Sequence, residues 1–400
     1  MIKKLLALYS VGLLSCLFVH AQGNESSGAN TAPPKDATLV YVGTFTSTSA
    51  NSKGIYLFSV RTESGKASGN MTLAPLGVAA ETPMPAYLAL DIKRHLLFCA
   101  NEIDVFEGKP NGAVSAFSID PATGKLTFIN QRPSMGTHPC HLVLDKSGKN
   151  LIVANYISGS VAVLPVDKDG QIGEATCVIQ DTGSSVNPVR QAGPHAHCIT
   201  FSPDNRFVFV CDLGIDKVLM YKFDAQHGKL IPNDPPFVST KPGSGPRHMT
   251  FGPNGRFAYL ICEMASTVTT FAYNAKTGAL KELQTLSCLP EGFSGTNTAA
   301  EIAVEPSGKF LFASNRGDNS VAEFQIDAKR GTLQWVGEQS TGGKTPRFFA
   351  VSPSGKNLVI CNQDSDTIMA CGLEAGSGKL MPVSLLTRAP APVCTVFLPR

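Results

Sequence analysis

Ionisable residues recur at two positions of a repeating sequence pattern, and their types suit the chemistry of a small anion. The first position begins a short apolar run, as in "PHAHCITF" (194–201) and "GPRHMTF" (245–251), where it contains His197 and Arg247. A third copy, "TPRFFAVSP" (345–353), has Arg347 there. A histidine can take a proton from water near neutral pH, and arginines bind carboxylates, phosphates or oxyanions through paired hydrogen bonds.

The second position ends the next apolar run and includes Glu102, Glu263 and Arg316. Copy by copy, the first position contains Ala86, Cys140, His197, Arg247, Ala300, Arg347 and Val393, and the second contains Phe45, Glu102, Tyr156, Leu213, Glu263, Arg316 and Gln363. Several copies use Ala, Val or Leu, so folding does not require a charge at either position. We therefore expect an anion site, with simple structural pairing of Arg247 and Glu263 as the alternative.

Neighbouring histidines extend this set. His138 and His195 come two residues before the first position and share its side of the strand, so we assign them, with Glu102 and Arg347, to substrate binding. A supporting role is the alternative for both histidines. Residues His141, His248 and Glu301 come one residue after the first position and are expected to face a neighbouring repeat unit.

The repeat that places these residues recurs roughly every 50 residues, which indicates a repeat architecture. Its copies include "DIKRHLLFCANE", "DKSGKNLIVANY", "SPDNRFVFVCDL", "GPNGRFAYLICE", "EPSGKFLFASNR" and "SPSGKNLVICNQ". Each unit reads as four short strands separated by polar turns, with little helical periodicity. The pattern predicts an all-β chain folded as a seven-bladed β-propeller of four-stranded blades.

The two ends of the repeat region predict how the ring closes. The unit at 38–60 lacks a first strand, and "APVCTVFLP" (391–399) supplies one, so the C-terminal strand should complete the first blade and leave no open edge. In a propeller the first strand of each blade lines the central channel. The start of that strand and the end of the second strand meet at one rim, which brings the two ionisable positions together.

The N-terminal sequence predicts export. Residues 1–21 resemble a signal peptide cut after Ala21, residues 22–37 read as a polar linker, and residues 38–400 form the propeller domain. The protein is thus expected to be periplasmic or secreted. A lipid anchor through Cys16, which follows a lipobox-like "LLS", is the alternative.

Composition excludes several classes of partner. The chain is 43% hydrophobic and 16% charged with a net charge of +3, so no basic stripe indicates nucleic acid, and no apolar run beyond the N-terminus is long enough to span a membrane. The eleven cysteines include no CxxC pair and mostly lie within apolar runs, which favours buried thiols over disulfides or metal ligands. We expect a monomer without metal or cofactor.

The motifs "GPRHMTFGPNGRFAYLICE", "PHAHCITFSPDNRFVFVCDLG" and "FLFASNRGDNSVAEFQID" resemble the lactonase family of seven-bladed propellers, over residues 38–399. That family includes a bacterial cycloisomerase-type 6-phosphogluconolactonase and a fungal carboxy-cis,cis-muconate cyclase. The resemblance implies a catalytic set of His197, Arg247, Glu263 and Arg316. No blade shows the Gly-His and Trp-Asp markers of WD40 propellers.

The function that this resemblance implies is hydrolysis of an anionic lactone at the mouth of the central channel. Either His197 or Glu263 would activate water, while Arg247 and Arg316 would bind the substrate anion or the developing oxyanion. Two alternatives remain: lactonising cyclisation of an unsaturated diacid, and anion binding without chemistry. Export also leaves the substrate open, because 6-phosphogluconolactone is made in the cytoplasm.

Overall fold

The structure is a computed structural model that describes Pro33 and residues 37–47, 51–62, 71–374 and 376–399. The predicted signal peptide, Cys16 and most of the predicted linker lie outside the described residues. All described residues belong to one compact unit, Ala32–Arg400.

Seven four-stranded antiparallel sheets, the blades, make up the described part of the chain, as predicted. Strands are numbered in chain order, and the first strand of each blade is the one at the channel. Blade 1 contains, from the channel outward, β30 (Pro392–Leu398), β1 (Thr38–Thr44), β2 (Gly54–Thr62) and β3 (Met71–Glu81). Blade 2 contains β4 (Pro85–Asp91), β5 (Leu96–Asn101), β8 (Ala113–Ile119) and β9 (Leu126–Pro133). Blade 3 contains β10 (Pro139–Leu144), β11 (Asn150–Asn155), β12 (Ser160–Pro165) and β13 (Cys177–Gln180).

Blade 4 contains β14 (Ala196–Phe201), β15 (Phe207–Asp212), β16 (Lys217–Asp224) and β17 (Lys229–Ser239). Blade 5 contains β18 (Pro246–Phe251), β19 (Phe257–Cys262), β20 (Thr267–Tyr273) and β21 (Leu280–Ser287). Blade 6 contains β22 (Thr298–Val304), β23 (Phe310–Arg316), β24 (Ser320–Ile326) and β25 (Leu333–Ser340). Blade 7 contains β26 (Pro346–Val351), β27 (Asn357–Asn362), β28 (Thr367–Gly372) and β29 (Ser384–Arg388). A small hairpin, β6 (Val105–Phe106) and β7 (Lys109–Pro110), extends blade 2, and a 3₁₀ turn covers Gln363–Ser365.

The first strands of the blades form a closed ring. Strand β30 pairs with β1, with Tyr41 opposite Val396, so the C-terminal strand completes the first blade as predicted. Each first strand contacts the next around the ring, and β30 contacts both β26 and β4. Closure in this way leaves no unpaired strand edge between the first and last blades.

The hydrophobic core is divided among the seven interfaces between adjacent blades. Six of the seven buried apolar clusters join two neighbouring blades, as Val153 and Phe98 do between blades 2 and 3, and the seventh joins blades 1 and 2 and includes Phe348 and Cys361 of blade 7. The second strands are buried along their whole length because they pack on both faces. Fully burying one such side chain contributes about 1.5–3 kcal/mol, so the ring holds the channel strands rigidly.

Cysteines contribute to these clusters as small apolar groups. Nine of the ten described cysteines are buried, as their positions within apolar runs predicted. Within the same residues no helix has the length and apolar character needed to cross a membrane.

Candidate active site

A β-bulge at the start of each first strand places the first ionisable position in the channel. In blade 5 the register passes from Pro246 opposite Cys262 to His248 opposite Ile261, so Arg247 is the extra residue. His197 is skipped in the same way in blade 4. The other blades repeat the irregularity at Ala86, Cys140, Ala300 with Glu301, Arg347 and Val393. A bulge re-aims side chains, so two consecutive residues can face the channel.

His141, His248 and Glu301 contact a neighbouring blade as expected, and the two histidines also meet each other across the channel. His248 does contact Glu301 of the next blade, with 3.1 Å between Nδ1 and Oε2. Its ring centroid, however, is also 5.4 Å from that of His141, although blade 4 lies between their blades. Rings from non-adjacent blades can meet only across the channel. Strict strand alternation fails at these positions because the inserted residue breaks it.

The second ionisable position joins the first at one end of the channel, as expected. There it encloses a cavity of about 270 Å³, which we call the upper cavity. Its lining residues are Glu102, Cys140, Tyr156, Arg190, His197, Glu263, Thr298, Arg316 and Arg347. Three arginines face two glutamates in this lining, so the cavity has an excess of positive charge that suits a small anionic ligand.

Glu263 is held by three arginines. Its Oε1 accepts a hydrogen bond from Arg190 Nη2 at 2.6 Å, and its Oε2 lies 3.0 Å from Arg247 Nε and 2.8 Å from Arg316 Nη2. Burial alone would raise the pKa of this carboxyl, but the three positive charges outweigh burial and lower the pKa to about 2. A carboxylate so strongly stabilised as an anion is a weak proton acceptor, so its main capacity is to orient the arginines.

Arg247 lies beneath Glu263 rather than in the lining of the upper cavity. Its side chain is 2% exposed, and its Nη1 donates to the carbonyl of Ala300 at 2.8 Å. Burial lowers the pKa of the guanidinium, although the Glu263 charge counteracts this effect. In this position Arg247 supports Glu263 and supplies positive potential from below. The structural pairing that was the sequence-based alternative is therefore present within the charged cluster.

His197 lines the upper cavity and has a buried ring nitrogen without a hydrogen-bond partner among the described residues. The residue is 5% exposed, and no described residue forms a hydrogen bond with its Nδ1. Burial, followed by the charge of Arg247 and other nearby cations, lowers the pKa of the imidazole well below its usual range. The ring is therefore neutral at pH 7 and can accept a proton.

Arg316, Arg347 and Glu102 line other parts of the cavity. Arg316 Nη2 also donates to Ala299 O at 3.1 Å, and burial lowers the pKa of Arg316 to about 10, so it remains a cation at neutral pH. Arg347 lies 5.0 Å above the ring of Phe45 and reaches Glu102, with 3.6 Å between Nη2 and Oε2. That Oε2 is buried without a hydrogen-bond partner among the described residues.

His138 and His195 lie behind the lining instead of in it. His138 Nε2 is 2.5 Å from Asp104 Oδ1, and its pKa is raised, chiefly by its hydrogen bond to Glu102. His195 stacks on the ring of Tyr156 at 4.6 Å between centroids, and its Nδ1 lies 2.9 Å from the Tyr156 carbonyl oxygen. The structure places both histidines where they support lining residues.

Arg190, Tyr156, Cys140 and Thr298 also line the cavity but were not assigned to the site from sequence. Arg190 comes from the long connection between blades 3 and 4, and its Nη2 donates to Tyr156 Oη at 3.0 Å. This connection has no counterpart in the other repeats, so comparing repeats could not reveal it. Tyr156 and Cys140 occupy the two compared positions but were passed over because only acidic and basic residues were selected.

The channel narrows below this site. A space of only about 10 Å³, the throat, lies among residues that include His197, Arg247 and Arg347. It shares Tyr87 and His248 with a second cavity of about 490 Å³, the lower cavity.

Among the described residues no three His, Cys, Asp or Glu side chains are grouped as a metal ion would require. The upper cavity therefore offers an imidazole base and a cationic wall.

Comparisons with known proteins agree with this architecture. The sequence profile of the family described as "Lactonase, 7-bladed beta-propeller" matches residues 39–397. The 6-phosphogluconolactonase of Bacillus subtilis is 33% identical over 90% of this chain and 97% of its own length. The 6-phosphogluconolactonase of Formosa agariphila is 34% identical over 76% of this chain and 83% of its own. The structure of the periplasmic gluconolactonase of Pseudomonas aeruginosa, 35% identical, superposes with a TM-score of 0.82 and covers 90% of this chain and 99% of that one.

Proposed function

The chain belongs to the lactonase family of seven-bladed β-propellers, and on that premise we propose that it hydrolyses an anionic sugar lactone in the upper cavity. The proposal makes His197 the general base that activates water. Arg316 and Arg347 bind the anionic group of the substrate and the developing oxyanion, while Glu263 and Arg247 hold the cluster in place. The cavity of about 270 Å³ suits a single sugar ring better than a polymer.

One observation supports this assignment above the others: two buried polar atoms in the cavity wall have no hydrogen-bond partner in the described protein. They are His197 Nδ1 and Glu102 Oε2. Leaving a buried polar atom unpaired costs about 1–3 kcal/mol. A water molecule and the hydroxyl groups of a sugar supply the missing donors, so bound substrate would relieve this cost at both atoms.

The charge balance also explains how His197 becomes basic when it is needed. In the free protein, arginine charges help to hold the pKa of His197 below its usual range. An anionic substrate neutralises part of that charge, so the pKa of His197 rises when the substrate is bound. The base then gains proton affinity in the complex, where a water molecule can be placed beside the lactone carbonyl carbon.

Attack by that water gives a tetrahedral oxyanion, which neighbouring guanidinium groups stabilise. Collapse of the oxyanion breaks the ring C–O bond, and the proton held by His197 passes to the leaving alkoxide. Arg316 is well placed for charge stabilisation because it lines the cavity and also contacts Glu263. The product is an open-chain hydroxy acid that carries one additional carboxylate.

For the substrate, we propose a sugar lactone with an anionic substituent, and a neutral unphosphorylated lactone is the alternative. Curated relatives are named 6-phosphogluconolactonases, and one relative of known structure is named a periplasmic gluconolactonase. A signal peptide, as expected from the sequence, would place this chain in the periplasm or outside the cell. Export would favour the neutral alternative, because 6-phosphogluconolactone is made in the cytoplasm.

The direct test is acid release from a phosphorylated and an unphosphorylated gluconolactone, measured with a pH indicator and corrected for spontaneous hydrolysis. We expect turnover of at least one lactone and its loss in the His197→Gln variant. Ligand-dependent thermal stabilisation without acid release from either lactone would instead favour the non-catalytic anion-binding alternative. Supplying an unsaturated diacid and following lactone formation tests the cyclisation alternative.

A further inference from the structure

A pair of cysteines lies directly behind the candidate base. Cys198 follows His197 on β14, and the register of blade 4 places Cys198 opposite Cys211 on β15. Directly opposed residues of antiparallel strands project to the same face, with Cα atoms roughly 4.5–5.5 Å apart. That interval lies within the Cα range that a disulfide spans. Among the described strands, no other two cysteines are paired in register.

The setting of Cys198 differs from that of an ordinary core thiol. Its Sγ is 3.6 Å from His141 Nε2 and 3.7 Å from Thr200 Oγ1. Burial alone would raise the pKa of the Cys198 thiol, but hydrogen bonding with Cys211 and the charge of His141 hold it well below its usual range. The nearby imidazole therefore favours a thiolate.

A route to this thiol also exists. Cys198, His141 and Thr200 line the lower cavity of about 490 Å³, which includes Lys146 and Asn205 of exposed turns in its wall. Cys361 gives a contrast: it is buried and free, and neither described cavity of the channel includes it in its lining. A small soft electrophile can thus approach Cys198 without entering the upper cavity.

We propose that Cys198 and Cys211 form a redox-active dithiol that reacts, through the lower cavity, with small disulfides. The Cys198 thiol gives up its proton and attacks one sulfur of the reagent. A mixed disulfide forms, the S–S bond of the reagent breaks, and the expelled thiolate takes up the proton. Cys211 then attacks the Cys198 sulfur, a second reagent thiol leaves with the Cys211 proton, and a Cys198–Cys211 disulfide remains. Two protein thiols are oxidised and one reagent disulfide is reduced to two thiols.

The experiment treats the reduced, folded full-length chain with bis(2-hydroxyethyl) disulfide at pH 7. Thiols are counted after an acid quench, and the disulfides are located by peptide mass mapping. We expect rapid loss of two thiols and a cross-linked peptide pair containing Cys198 and Cys211. The Cys211→Ser variant should stop at a mercaptoethanol adduct on Cys198, while Cys361→Ser should behave like the parent.

The proposal is overturned if Cys198 in the folded parent reacts no faster than Cys361. Equal reactivity would show that burial makes both thiols inert. A Cys198 that reacts quickly but stays as a mixed disulfide in the parent would also overturn it, because the pair would then lack the geometry for closure. The parent protein alone gives both readings, so the outcome does not depend on the folding of a variant.

Discussion

Arg190 Nη2 lies 2.6 Å from Glu263 Oε1, and this ion pair joins the connection between blades 3 and 4 to the end of β19 in blade 5. The same nitrogen donates to Tyr156 Oη, so one guanidinium links three parts of the cavity wall. The connection is itself anchored by Gln191, whose Nε2 donates to the carbonyl of Leu213 at 2.9 Å. One wall of the upper cavity therefore depends on a segment outside the repeat.

Replacing Arg190 with alanine should impair substrate binding more than folding. The side chain is 40% exposed, so its loss leaves little buried volume empty, but it removes one of the three cations of the cavity wall. We expect KM for an anionic lactone to rise about tenfold or more, with a smaller change in kcat. The matched control is Arg206→Ala, an exposed arginine on a turn of blade 4. Equal effects of the two variants in steady-state assays would contradict the assignment.

His197→Gln should abolish most turnover while leaving the fold intact. Glutamine retains hydrogen-bonding capacity but cannot take a proton, so kcat should fall about 10²–10⁴-fold. Thermal unfolding should confirm that the ring of blades is intact. His227→Gln is the control, because His227 is exposed on a turn of blade 4 and pairs only with Asp224 among the described residues. If His197→Gln keeps full activity, the base must be sought elsewhere, with Glu102 as the next candidate.

The pH profiles should report the rise in the pKa of His197 on substrate binding. Because burial and cations lower the pKa of the free imidazole, kcat/KM should stay high below pH 6.5 and fall only in more acidic solution. The corresponding limb of kcat should lie at higher pH, since the bound anion offsets arginine charge. Coincident limbs for kcat and kcat/KM with an anionic lactone would rule out this coupling.

Ionised Glu263 should stabilise the folded protein at neutral pH and lose this effect in strongly acidic solution. Its pKa falls from 4.5 in the unfolded chain to about 2 in the folded protein, so its stabilising effect is complete above about pH 4.5 and is lost as pH falls toward 2. Glu263→Gln should therefore flatten the decrease in melting temperature over this interval. At pH 7 Glu263→Gln should be less stable than the parent, because three arginines lose their shared counter-charge. Glu263→Gln and Arg247→Ala should each reduce lactone turnover about a hundredfold.

Glu305→Gln provides the control for turnover. Its carboxylate caps the turn between β22 and β23 and accepts hydrogen bonds from the backbone N–H groups of Ser307 and Lys309, outside the charged cluster. This substitution should leave lactone turnover unchanged. Acid profiles of melting temperature that are identical for Glu263→Gln and the parent would show that the arginines do not set the pKa of Glu263.

Repeat periodicity was sufficient to predict the number of blades, ring closure and the meeting of distant residues at one rim. Those features follow from local strand signals repeated seven times, and packing between blades leaves the chain few other arrangements. The comparison of repeats also identified His197, Glu263 and Arg316, because an ionisable residue stands out where other copies have Ala, Val or Leu.

The parts that sequence missed have physical causes. A bulge depends on backbone conformation rather than on a residue type, so nothing in the pattern indicated that His141 and His248 would meet across the channel. Arg190 lies in an insertion without a repeat counterpart. Arg247 supports Glu263 whereas Arg316 lines the upper cavity, because the two side chains lie at different depths along the channel. An alignment of the repeats contains no information about this depth.

Four blades have an asparagine near the end of the second strand, at Asn101, Asn155, Asn315 and Asn362, and the aspartate that replaces it in blade 4 leads to a last prediction. Asn155, Asn315 and Asn362 each donate an Nδ2–H to a backbone carbonyl of the preceding connection. Blade 4 has Asp212 at this position, and it faces Asp181, with both Oδ2 atoms buried and unpaired among the described residues. Burial and the charge of Asp212 raise the pKa of Asp181 to about 9, so the pair holds one proton at neutral pH.

Asp181 lies at the start of the connection that carries Arg190. At the end of this connection, Asp212 Oδ1 accepts a hydrogen bond from the His195 N–H at 2.8 Å. The folded protein keeps a proton that the unfolded chain releases above about pH 3.8, so the stabilising effect of that proton is complete below this pH and declines as pH rises to 9. Asp181→Asn should therefore raise the melting temperature relative to the parent by an amount that grows between pH 4 and pH 9. Asp169→Asn, on an exposed turn of blade 3, should produce no such trend. If the melting temperatures of Asp181→Asn and the parent change with pH in the same way across this range, the two carboxyls do not share a proton.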